Sequence, residues 1–490
     1  MKSVKILALP FALAAIAGAA QAATIVITSR DAPGVGFNDP TPVAPVGGND
    51  GTTLGQQRLN VYKYVAGIWE QNLESTVPIT VNAGWEPLSC TATSAVLGSA
   101  AAWNAWHDFP GAKPGTWYAQ ALANKIAKVN LSDGHPDDGS GYGNVDIKTQ
   151  FNINLGKTGC LDNTPFYLGL DGNAGSQVNF VETLLHELGH GLGFSVLAVN
   201  TSNGWRLLPD GSDFAPTGGL PAVWEGFMYD NTAGKTWLDM SNDERKASAI
   251  NPLKLAWKSD AMVAAANATL THTPTMKVST PAPTGSGFYD YSTATFSPPV
   301  VTGTSFGALA TVPADPVNGG GCLPFDSATT AAVVGKVAII DRGVCPFTQK
   351  VKNAQNAGAV GVILANNVAG ALVPGGSDPG VVLRTVGVSL DDGARLKAVV
   401  ADAAKYGTRG KPGVASDVFA VDPSRRAGAD LAGRPLLYTP NPLVPGSSVS
   451  HWDVSAFPNL LMEPNISPDL GTTLVPPKDL TKTLLTDLGW

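Results

Sequence analysis

The stretch that most constrains this chain is "VETLLHELGHGLGF", Val181 to Phe194. It carries His186, Glu187 and His190 in the pattern H-E-x-x-H. On a helix, that spacing stacks two imidazoles one turn apart and sets a carboxylate beside them. Val181, Leu184, Leu185, Leu188 and Leu192 share the other face, so one side can enter a core while the histidines face a cleft. Gly193 stands where a helix end favours a residue that tolerates positive φ. A catalytic zinc takes three protein ligands and keeps one position open for water. The pentapeptide supplies two, so a chain that uses it this way must bring a third from elsewhere.

The rest of the chain sets limits on the reading. At 490 residues it is long enough for two or three domains. Gly and Pro together number 92 (55 plus 37) and charged residues are only 14%, which favours loop-rich, β-containing structure over a helical bundle. A net charge of −7 offers no basic face, and no nucleic-acid partner is expected. Lys2 and Lys5, an apolar run from Ile6 to Ala17 and the small-x-small triplet Ala20-Gln21-Ala22 read as a signal peptide, residues 1–22, and so as a secreted protein, extracellular or periplasmic. No later segment offers ~20 apolar residues in a row, so no membrane span is expected. The four cysteines fall into two sequence clusters. The pairs Cys90–Cys160 and Cys322–Cys345 are therefore expected, as suits an exported chain.

Along the chain, residues 23–55 are expected to wander over the surface. "GQQRLNVYKYVAGIWEQNL" has a helical period through Val61, Val65, Ile68 and Trp69. "VPITVNAGW", "VDIKTQFNINLG" and "FYLGLDG" read as strands ahead of the His186 helix, and "FNINLG" as an exposed sheet edge for an extended peptide. From Thr271 a run rich in Thr, Ser and Pro reads as a linker passing into short strands. "GKVAIIDRGVCPFTQKVKNAQNAGAVGVILANN" then gives a strand (Lys336 to Ile340), a helix (Phe347 to Ala357) and a strand (Val360 to Leu364). "VVLRTVGVSLDDGARLKAVV" adds another strand and helix.

From Gly335 to Asn367, and on to about Lys405, this module resembles the protease-associated (PA) domain. The resemblance implies an insert of secreted peptidases that binds substrate or partner and carries no catalytic group. The third ligand is also sought by resemblance. Metzincin peptidases extend the motif to H-E-x-x-H-x-x-G-x-x-H; His186, Glu187, His190 and Gly193 match, but position 196 is Val. Leishmanolysin-type metzincins instead place the last histidine later, in S-H-W followed by L-M-x-P. The run "SVSHWDVSAFPNLLMEPNISPDL" contains Ser450-His451-Trp452 and Leu461-Met462-Glu463-Pro464, and "LTKTLLTDLGW" is similar to the last metzincin helix.

What the resemblance implies is a metal set of His186, His190 and His451, with Met462 as the structural Met-turn under one catalytic Zn2+ and Glu187 as general base. The implied fold class is α/β (α+β), with a twisted sheet and active-site helix plus an inserted β-rich PA domain. The division is 1–22 signal peptide, 23–275 first catalytic part, 276–410 PA domain and 411–490 second catalytic part. The activity is that of a zinc metalloendopeptidase acting on protein or peptide substrates. Other classes stay open: an inert binding protein using the PA module, or a zinc hydrolase of non-peptide substrates. Glu225 in "VWEGF" is the rival third ligand. The run "DGHPDDGSGYGNVD", Asp133 to Asp146, offers carboxylates to Ca2+ but lacks EF-hand spacing, and a plain acidic loop is the first expectation. His107, His135 and His272 stand alone and read as surface residues.

Overall fold

The computed structural model describes residues 21–133, 144–313, 320–368, 370–407, 411–467 and 469–490. The expected signal peptide, except Gln21 and Ala22, and most of the Asp133–Asp146 run lie outside the described residues. The chain is mixed α/β and divides into two units, residues 1–270 with 428–490, and residues 271–427.

The first unit opens with β1 (Ile25–Ser29), inside the stretch expected to be irregular. Its β-branched run, Ile25 to Thr28, signals a strand but stands just ahead of a Gly- and Pro-rich stretch. Helix α1 (Leu54–Asn72) starts at a capping box, in which the Thr53 hydroxyl accepts from the Gln56 amide and the Gln56 side chain accepts from the Thr53 amide. Val61, Tyr62, Val65 and Trp69 are buried along it. Strands β2 (Ile79–Glu86), β3 (Gly98–Ala102) and β4 (Ile147–Asn152) complete a four-stranded sheet ordered β1–β2–β4–β3. β1, β2 and β4 are parallel, and β3 runs antiparallel to β4. The expected edge therefore moves: the strand that "FNINLG" closes is internal, and the edge beside the His186 helix is β3. Its sequence, GSAAA, has none of the β-branched or aromatic residues that mark a strand. In "FYLGLDG" only Phe166–Tyr167 is paired as a strand. Cys90 and Cys160 are bridged, with Cα atoms 5.0 Å apart.

Helix α2 (Phe180–Gly191) carries the H-E-x-x-H motif. The Asn179 side chain caps it, accepting from the Val181 and Glu182 amides. The helix ends in a Schellman motif: the Gly193 amide donates to the His190 carbonyl and the Phe194 amide to the Gly189 carbonyl, with Gly193 at φ +115°. Both faces are buried, the histidine face included.

The second unit is built on two sheets. β5 (His272–Ser279) pairs antiparallel with β6 (Gly287–Tyr289) and with β12 (Ser416–Arg426). Between them, β7 (Ser292–Thr293), β8 (Leu309–Thr311), β9 (Val337–Asp341), β10 (Gly361–Ala365) and β11 (Thr385–Val388) form a sheet ordered β7–β11–β10–β9–β8. It is parallel except at β7. Helices α3 (Phe347–Asn356) and α4 (Leu390–Ala403) belong to this unit, and Cys322 is bridged to Cys345. β9, β10 and β11 are apolar almost throughout, as expected of parallel strands covered on both faces. The β5–β12 pair carries this unit's limits out to 271 and 427, wider than the expected 276–410, and turns the expected linker into a strand from His272.

The chain then returns to the first unit and closes with α5 (Thr481–Leu488). Trp452, Leu460, Leu461, Met462, Leu484, Leu485 and Leu488 join one core with α1 and α2. Among the described residues no helix is long and apolar enough to cross a membrane.

Candidate metal centre

His186, His190 and His451 meet in the first unit, and their ligating atoms all lie within 4.8 Å of one another. The His190 Nε2 atom is 3.1 Å from Nε2 of His186 and 3.1 Å from Nε2 of His451, 261 positions further along the chain. This is the one such cluster of His, Cys, Asp and Glu among the described residues.

Three chain reversals aim the rings. His186 Nδ1 donates to the Leu461 carbonyl at 2.7 Å, His190 Nδ1 to the Phe194 carbonyl at 2.7 Å, and His451 Nδ1 to the Ser447 carbonyl at 2.8 Å. A carbonyl has no proton to give, so each Nδ1 holds the hydrogen and each Nε2 presents a lone pair. Burial pushes His186 down to about 4 and His451 to about 3, and holds His190 well below the usual imidazole value. Three neutral lone pairs gathered within 4.8 Å, two of them 3.1 Å from the third, repel unless a cation lies among them. A tetrahedral ion with ~2.0 Å bonds separates its ligand nitrogens by ~3.3 Å. The three imidazoles therefore fit a zinc-sized divalent ion.

Met462 packs against the motif helix at Gly189. A Cβ placed on Gly189, the residue before His190, would meet the Met462 sulfur at 2.7 Å and its methyl at 3.1 Å. Gly191 is pressed in the same way, against Ile147 Cγ2 at 2.3 Å. These close approaches account for helix-interior glycines that each cost ~1 kcal/mol against alanine. The Met462 carbonyl accepts from the Trp452 amide at 2.8 Å, which ties the methionine's turn to the residue after His451.

Glu187 is buried beside the histidines. Desolvation pushes its carboxyl up to about 8, opposed by a backbone hydrogen bond from Ala100 on β3. Glu463 is buried, and its Oε1 accepts from the Leu460 amide at 2.8 Å, closing its own turn. Glu225 is not brought to the cluster. It is fully buried against Arg206 at 2.7 Å and accepts from the Ala222 amide at 2.9 Å. His107 is bonded to Asp108 and to the Pro209 carbonyl, His272 lies in β5, and His135 falls outside the described residues. Sequence reasoning missed the three carbonyls and the buried Asp479, whose carboxylate accepts from the Leu461 amide. The carbonyls leave no trace in residue identity. An aspartate that bonds the amide two residues on is at least a recognisable Asx-turn signal.

Residues 305–396 match the PA domain family. Among curated proteins, the chain is similar to "Probable leucine aminopeptidase 2" of Aspergillus fumigatus, 37% identical over 112 residues, 22% of this chain and 20% of that one. It is similar to "Minor extracellular protease Vpr" of Bacillus subtilis, 39% identical over 64 residues, 13% and 8% of the two chains. "Probable lipoprotein aminopeptidase LpqL" of Mycobacterium tuberculosis is 38% identical over 93 residues, 19% and 18%. The chain thus spans a fifth or less of these relatives' length. Among solved structures, a zinc aminopeptidase from Bacillus subtilis aligns with TM-score 0.20 and 20% identity over 34% of this chain and 37% of that one. His186, Glu187, His190 and His451 all lie outside residues 305–396.

Proposed function

We propose that this chain is a secreted zinc metalloendopeptidase of the leishmanolysin-like metzincin kind, with the PA unit inserted between two parts of the catalytic unit. The observation that carries the reading is the convergence of three Nδ1-anchored, buried imidazoles, with Glu187 alongside. His186, His190 and His451 would hold the ion. When bound, Zn2+ supplies a Lewis acid for the scissile carbonyl and makes water a nucleophile near neutral pH. Glu187 takes a proton from the attacking water and passes it to the leaving amine nitrogen. Its partner Ala100 sits on the open edge strand β3, the natural place for an extended peptide to add a strand. Export rests on the leader-like residues 1–22 and the two disulfides.

A second reading, an aminopeptidase, is favoured by the names of the relatives. The proposed site, however, lies outside the matched PA stretch. A peptide blocked at its amino terminus, with a quenched internal bond, separates the two readings from an aminoacyl p-nitroanilide. We expect cleavage of the blocked peptide, chelator-sensitive and restored by Zn2+. Cleavage of the free aminoacyl substrate alone would reject the endopeptidase. Metal analysis of His451→Ala beside wild type tests the ligand set: one equivalent of zinc retained by the variant would remove His451 from it.

A further inference from the structure

Asp479 is 3% exposed and uses both carboxylate oxygens on backbone amides from different parts of the chain. One oxygen accepts from Thr481 at 2.7 Å, at the start of α5. The other accepts from Leu461 at 2.7 Å, 18 positions back. Leu461 is the residue whose carbonyl receives the His186 Nδ1 hydrogen at 2.7 Å. The bond to Thr481 is an Asx turn ahead of the helix, which needs one acceptor, and Asn serves that purpose as well as Asp. The second oxygen has a different consequence, since it pins the backbone at Leu461, the residue whose carbonyl orients His186. We infer that Asp479 is a positioning residue for the metal centre, locking His186 through Leu461. This rests on the zinc reading above.

Asp479→Asn separates the two roles. Its amide keeps one acceptor for Thr481 but turns an N–H toward the Leu461 amide. Groups that hydrogen-bond a metal ligand directly change affinity ~10–100-fold when lost, and Asp479 is one link further out, so we expect ~10-fold weaker zinc binding. The measurement is chelator competition for Zn2+ on the full chain, together with the visible spectrum of the Co2+-loaded protein. The control is Leu484→Ala, which loosens α5 from the core without touching the Leu461 amide.

The inference predicts weaker zinc and a shifted cobalt spectrum for Asp479→Asn, and neither change for Leu484→Ala. It is overturned by Asp479→Asn binding within twofold of wild type, or by Leu484→Ala losing as much affinity. Should Asp479→Asn not fold, hydrogen exchange of wild type with and without Zn2+ decides. Zinc should slow exchange in both the 456–463 and 479–485 segments; protection confined to 186–196 and 447–452 overturns the inference. A wild type that takes up no zinc rejects the zinc reading and this inference with it. Zinc-binding wild type with an unaffected variant rejects this inference alone.

Discussion

Gly189→Ala offers a test of how the methionine seats the helix. The added Cβ would stand 2.7 Å from the Met462 sulfur, against an ordinary non-bonded separation of ~3.5–4.0 Å, so something must retreat by ~1 Å. Met462 is fully buried and its backbone is tied to Trp452, which leaves only its flexible side chain to give. Overpacking costs ~1–3 kcal/mol, while alanine is preferred to glycine inside a helix by ~1 kcal/mol. Gly189→Ala should therefore destabilise the first unit by ~0–2 kcal/mol. In a Met462→Ala background the obstacle is gone, and the same change should stabilise by ~1 kcal/mol. The coupling between the two sites is then ~1–3 kcal/mol. All 11 tryptophans lie outside residues 271–427, so tryptophan emission during urea unfolding reports the first unit alone. The cycle is measured on metal-free protein, so that packing is not mixed with metal linkage. A coupling below ~0.5 kcal/mol would refute the contact as the reason for the glycine.

Glu187→Gln should lower turnover of the blocked peptide by ~10²–10⁴ while zinc content stays at one equivalent, and unchanged turnover would dismiss the carboxylate as base. Arg206→Leu strands the buried Glu225 carboxylate and should cost ~3–5 kcal/mol in tryptophan-monitored unfolding without altering zinc content; lost zinc would reinstate Glu225 near the metal. Asp146 is held at about 6 by burial, above its ordinary 3.8. The native state then binds the proton more tightly than the unfolded chain. This group's contribution to stability is full below ~3.8, falls as pH rises toward ~6, and is flat above. Relative to wild type, Asp146→Asn should gain ~2 kcal/mol between pH 4 and pH 7, at 1.36 kcal/mol per unit, and a pH-independent difference between the two would contradict the burial argument.

The two helical histidines were readable because H-E-x-x-H is a local spacing on a local structure, and His451 and Met462 only through resemblance to a motif elsewhere. What stayed hidden has a common cause. The pairing of β5 with β12 joins residues more than a hundred positions apart, and no periodicity within either segment announces the partner. That is why the second unit extends to 271 and 427. β3 escaped notice because small residues suit an edge where another backbone is to come close, yet they carry no hydrophobic alternation. Glu225 looked like a loop carboxylate, and nothing adjacent in sequence reveals that Arg206 lies against it.

The deeper omission concerns what aims the ligands. Each imidazole is oriented by a carbonyl at a chain reversal: Phe194 after the helix stop, Ser447 in the turn before His451, and Leu461 in the methionine's turn. A carbonyl belongs to every residue, so its role is set by backbone path alone. The path is enforced by residues that touch no metal: Gly193 at φ +115°, Glu463 and Asp479 bonding the turn amides, and Val449, a buried β-branched residue at φ +70° two positions before His451. A conformation that costs ~1–3 kcal/mol persists only where its surroundings over-determine it, and the Val449 amide is indeed fixed to the Tyr438 carbonyl at 2.7 Å. In the proposed centre a histidine substitution removes a donor atom, whereas a substitution at a reversal tilts a ring. Substitutions at the reversals should therefore be graded in zinc affinity, where substitutions of the three histidines are all-or-none.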